Sequence, residues 1–168
     1  MGPDAAIYVT CYHRLRKIWW RQCDPVAARA AADNLRTRAG DSRQDWREVA
    51  ELYMIAKEWE HALAAAHRLL ALIPEADERE RLRAEIVAAR AYGGKRDDHE
   101  ARRRLIRILA RGEDSVVLRE AADALVDLYL LREERDQAIA TLNDLRLRTN
   151  DGALHGWIDR RLGEIGGD

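Results

Sequence analysis

The feature that most constrains this chain is a pair of residue types that returns in fixed register. Four times an aromatic residue is followed nine positions later by alanine: Trp19 and Ala28, Tyr53 and Ala62, Tyr92 and Ala101, Tyr129 and Ala138. The aromatics are spaced by 34, 39 and 37 residues. Apolar residues keep step with them. Leu15, Val49, Ala88 and Leu125 stand one helical turn before the aromatic, and Leu35, Leu69, Ile108 and Leu145 stand seven residues after the alanine. A period in this range is the mark of stacked supersecondary units, none of which can bury its apolar face alone.

The units read as helices. Val49, Leu52, Tyr53 and Ala56, then Leu63, Ala66, Leu69, Leu70 and Ile73, form stripes of period 3.6, and no run of alternating β-branched residues interrupts them. Punctuation cuts the helices short. Asp24-Pro25 is a cap followed by proline at the first helical position, and Gly40-Asp41-Ser42 ends one helix and caps the next. Ile73-Pro74, Gly93-Gly94, Gly112 and Asn150-Asp151-Gly152 mark further ends, with Asp97 or Asp98 and Asp114-Ser115 as the next caps. About nine helices of roughly 12–18 residues result, and their short connections make neighbours antiparallel. Each recurring alanine is expected where two helices cross, because close packing there needs a small side chain. A last helix with Leu154, Trp157, Ile158, Leu162 and Ile165 on one face closes the stack; Asp159, Arg160 and Glu164 face away.

In its best-formed unit, Trp46 to Pro74, the chain resembles the tetratricopeptide repeat family through Trp46, Val49, Ala50, Tyr53, Trp59, Ala62, Leu69 and Pro74. Ala122 to Asn150 resembles it through Leu125, Tyr129, Ala138, Ile139 and Leu145. The resemblance implies an all-α, right-handed α-solenoid of antiparallel helix hairpins. Its units are expected at about 9–40, 43–75, 82–114 and 119–151, with a capping helix at 152–165, in one domain. It also implies a concave groove, lined by the first helix of each pair, that holds a partner polypeptide. The residues falling on that face are His13, Lys17, Trp20 and Arg21, then Gln44, Arg47, Glu51 and Met54. Arg83, Ile86 and Arg90 follow, and finally Glu120, Asp123, Asp127 and Leu130. Such a groove is basic over three units and acidic in the last, which suits a partner segment with an acidic part and an apolar anchor. The Lys, Arg and Asn clamp with which chaperone-binding members hold a terminal carboxylate is not reproduced: Lys17 and Glu51 stand where it uses asparagine.

Composition narrows the function classes. Charged residues make up 35% of the chain, yet the formal net charge is -1. That balance disfavours nucleic acid and membrane surfaces, which attract a clear positive excess. Arg102-Arg103-Arg104 is expected on a solvated outer face. The apolar runs are too short to span a bilayer. Cys11 and Cys23 do not form a disulfide framework, so a reducing, cytoplasmic compartment of bacterial type is the expected setting. His13, His61, His67, His99 and His155 are scattered, no phosphate-binding loop occurs, and no catalytic or metal set assembles. The expectation is a non-enzymatic adaptor or scaffold without cofactor, metal or small-molecule substrate. The alternatives are a chaperone for a secreted or assembly-bound protein, a nucleic-acid-binding solenoid, or a non-catalytic subunit of a larger complex.

Overall fold

A computed structural model describes residues 24–167 of the chain. Cys11, Tyr12, Leu15, Trp19 and Cys23, and the expected groove residues His13, Lys17, Trp20 and Arg21, lie outside the described residues. The described residues form eight helices and no strand. These are α1 (Pro25–Arg36), α2 (Arg43–Ile55), α3 (Trp59–Leu72), α4 (Glu78–Gly94), α5 (Asp98–Arg111), α6 (Ser115–Leu131), α7 (Arg135–Arg148) and α8 (Gly152–Gly166).

Local chemistry sets the boundaries. Asp24, Ser42, Asp77, Asp97, Asp114 and Asp151 each accept from backbone N–H groups in the first turn of the helix they precede. Pro25 opens α1, and Ile73 ends α3 in an extended conformation ahead of Pro74. Three connections share one geometry. The carbonyls of Tyr53, Tyr92 and Tyr129 accept from the N–H five residues on, at Glu58, Asp97 and Glu134. The carbonyls of Met54, Gly93 and Leu130 accept from Lys57, Arg96 and Glu133. These are Schellman closures, which require a left-handed residue. That residue is Lys57 (φ 59°), Arg96 (φ 66°) or Glu133 (φ 60°), never glycine.

Gly93 and Gly94 do close α4, as the sequence suggests, but they do not make the turn. Gly94 is needed for proximity. A Cβ there would lie 2.4 Å from the Trp59 indole, so the bare backbone lets that ring settle on the end of α4.

Consecutive helices pack against each other throughout the described residues. The first helices of successive pairs also touch: α4 packs on α2 and on α6, more closely than successive second helices approach one another. They form an inner row, and α8 lies beside α6 at its end. The recurring alanines Ala28, Ala62, Ala101 and Ala138 are all fully buried, as are Val49, Ala88, Leu69 and Ile108. Leu154, Trp157, Ile158 and Ile165 bury the expected face of α8. No helix among the described residues is long and apolar enough to cross a membrane.

Candidate functional site

The inner row carries a ladder of ion pairs that bridges each helix to the next. At the first step, Arg43 on α2 reaches Glu80 at 2.6 Å and Asp77 at 3.4 Å, and Arg47 also bonds Glu80. At the second, Arg83 on α4 grips Glu120 on α6 with two bonds of 2.9 and 2.8 Å, and Arg79 meets Asp114. At the third, Arg161 on α8 gathers Asp123 and Asp127 of α6 together with Glu164. The fork of a guanidinium matches two carboxylate oxygens, which favours arginine at such crossings. Arg83 is held above its usual range, first by its bond to Glu120. Asp127 is raised, first by desolvation on burial and then by Asp123, against the pull of Arg161 and Arg90.

Two of the expected basic side chains are therefore neutralised in place. Arg47 and Arg83 point along the row to carboxylates of the following repeat and do not present a free positive surface. Glu51 is half-buried on α2. Ile86, expected on the groove face, is buried in the core instead. Met54, Arg90, Asp123 and Asp127 come together on one cavity of about 690 Å³ between α2, α4 and α6. Its wall is completed by Trp59, Gly93 and Gly94, by Arg96 in the turn after α4, and by Leu128, Leu131 and Arg132 at the end of α6. Beside it, a cavity of about 410 Å³ runs from Arg90 to the start of α8, past Arg119 and Asp151.

The outer row is also internally paired. Arg102 bonds Glu134 at 2.5 Å and lies 4.9 Å over the Tyr129 ring. Arg103 and Arg104 both bond Glu100, and Arg104 lies 5.0 Å over Tyr92. Those bonds, Arg103 first, pull Glu100 down to about 2. Arg132 grips Asp98 and lowers its carboxyl. Among the described residues no group of three or more histidine, cysteine or acidic side chains is placed to hold a metal ion.

Arg161, Arg96 and Arg132 are site residues that motif reasoning did not single out, and Trp59 entered only as a signature residue of the repeat. For Arg161 and Arg132 the signal was a carboxylate about one repeat length away. Asp127 and Arg161, Asp98 and Arg132, and Arg43 and Asp77 are each 34 residues apart, close to one repeat length, so each pair joins neighbouring units.

Compared with known proteins, the chain matches no family model, no curated protein and no solved structure.

Proposed function

We propose that this chain is a right-handed solenoid of tetratricopeptide type that works as an adaptor in a cytoplasmic setting, holding a segment of a partner protein on its inner row. The observation that carries the reading is the cavity between α2, α4 and α6. It brings together Met54, Arg90, Asp123 and Asp127, residues assigned to the groove from the resemblance, and it mixes apolar surface with both signs of charge. Its size falls in the range of about 300–1,000 Å³ typical of binding pockets. The identical hairpin closures at Tyr53, Tyr92 and Tyr129 support the repeat reading. The commitment of Arg102, Arg103 and Arg104 to internal partners supports protein over nucleic acid.

The test is photo-crosslinking in cells from two positions. A crosslinking amino acid at Arg90, on the inner row, is expected to give adducts with polypeptide. One at Arg107, exposed on α5, is expected to give few. Polypeptide adducts from position 107 alone, or nucleic-acid adducts from position 90, would overturn the reading.

A further inference from the structure

Charge pairing leaves one place on the inner row unusual. Most of its arginines are committed to carboxylates of the neighbouring repeat: Arg43 and Arg47 to Glu80, Arg83 to Glu120, Arg161 to Asp123 and Asp127. Of the three arginines lining the 690 Å³ cavity, Arg132 is held by Asp98. Arg90 and Arg96 are exposed and make no hydrogen bond or ion pair with any of the described residues. The cavity's own carboxylates, Asp123 and Asp127, share the single guanidinium of Arg161 with Glu164, and Arg90 acts on Asp127 only through its field. Arg90 and Arg96 are therefore the cavity's arginines whose hydrogen-bond donors are open to a ligand.

Apolar surface adjoins these two cations. The Trp59 indole lies on the bare backbone of Gly94, Met54 is half-buried, and Leu131 is 68% exposed at the end of α6. A leucine so open to water on the rim of a concavity is a ready contact for a second apolar side chain.

We infer that this cavity is a subsite for a short acidic–apolar motif of a partner polypeptide: an Asp or Glu carboxylate meets Arg90 and Arg96, and a neighbouring large apolar residue packs on Trp59 and Leu131. The inference rests on the groove reading above and names the chemistry that the groove selects. A nucleic-acid strand fits less well. Its phosphates recur at close intervals, whereas the unpaired arginines here are two, in a cavity that also carries Asp123 and Asp127 and an Arg132 already closed on Asp98. Isolated carboxylates satisfy that pattern; a continuous polyanion does not.

The experiment selects phage-displayed random 12-residue peptides on the full chain, then measures the enriched peptides by fluorescence polarisation. They are expected to carry Asp or Glu within two residues of Leu, Phe or Trp. Arg90→Glu with Arg96→Glu is expected to weaken them at least tenfold, about 1.4 kcal/mol. Leu131→Ser is expected to weaken them about threefold, and Arg107→Glu to leave them unchanged. All four side chains are exposed, and Arg90→Gln with Arg96→Gln gives the same reading should the charge reversal fail to fold. Enriched peptides that crosslink to the inner row yet ignore the Arg90 and Arg96 changes would overturn the subsite and leave the groove standing. Absence of any peptide bound to the inner row would overturn both. A single-stranded 12-nucleotide RNA that binds more tightly than the peptides, and is lost on the Arg90 and Arg96 changes, would overturn the choice of partner.

Discussion

The two halves of the molecule fill their cores by different means. In the cluster that joins α1 through α4, eight of the twelve buried residues are alanine. In the cluster from α4 through α8, five of the twenty are alanine, and leucine, isoleucine and valine dominate. α4 serves both, giving Ala88 and Ala91 to the first and Ile86 and Ala89 to the second. Helices of the first half also run closer together. Small side chains at a crossing allow close backbones, and branched ones hold them apart. The first half therefore has little room for added volume, and the second depends on the volume it already encloses.

Substitution should separate these two regimes. The largest effect is expected from Ala62→Arg, where the side chain is fully buried in α3, inside the alanine-rich cluster. Overpacking alone costs about 1–3 kcal/mol, and an unpaired charge adds more. Urea unfolding should show a loss above about 3 kcal/mol; a midpoint equal to wild type would mean that the repeat register is wrong. Next comes Leu142→Ala in the second half, also fully buried. It leaves a cavity and should cost about 2–5 kcal/mol. A cost below about 1 kcal/mol would show that this half collapses around the gap and that the contrast between the cores is not real.

The smallest effect is a pH dependence of opposite sign in the two halves. In the first, Tyr53 donates to Asp33 at 2.6 Å and its hydroxyl is pushed up to about 12, first by burial and then by that bond. Its folded value exceeds its ordinary 10.0, so the stability it brings is present below pH 10 and is lost between there and about 12. In the second, Glu100 is held at about 2 by Arg103 and Arg104, against an ordinary 4.5. Its contribution is present above pH 4.5 and fades as pH falls towards about 2. Tyr53→Phe should flatten only the alkaline limb of a plot of urea midpoint against pH, and Glu100→Gln only part of the acid limb. A variant that alters the opposite limb would break the assignment.

Much of the fold was legible because its signals are local. The alternation of caps and stripes locates the helices from Asp24-Pro25 to Asp151-Gly152. The nine-residue step from aromatic to alanine identifies which face of each helix turns inward, and the four alanines are buried accordingly. The hairpin turns were less legible. Gly93-Gly94 drew attention as a helix end, yet Arg96 adopts the left-handed conformation, and its counterparts are Lys57 and Glu133. A charged residue carries no turn signal, because the Schellman bonds and helix packing enforce a conformation it would not choose alone. The candidate site was legible in part. Met54, Arg90, Asp123 and Asp127 follow from the resemblance, whereas Trp59 enters the same cavity only because Gly94, 35 residues on, yields it space.

The sequence by itself determined the helices, their order, the antiparallel pairing and the buried alanines, since periodicity and capping act within a few residues. Only the tertiary structure decided which charges are free. Whether an arginine is a binding group or a rung between repeats depends on a carboxylate some 33–38 residues away, brought within bonding distance by the stacking of whole units. Arg47 and Arg83 look like Arg90 in the sequence. Stacking sets Glu80 and Glu120 against the first two and leaves Arg90 facing the cavity.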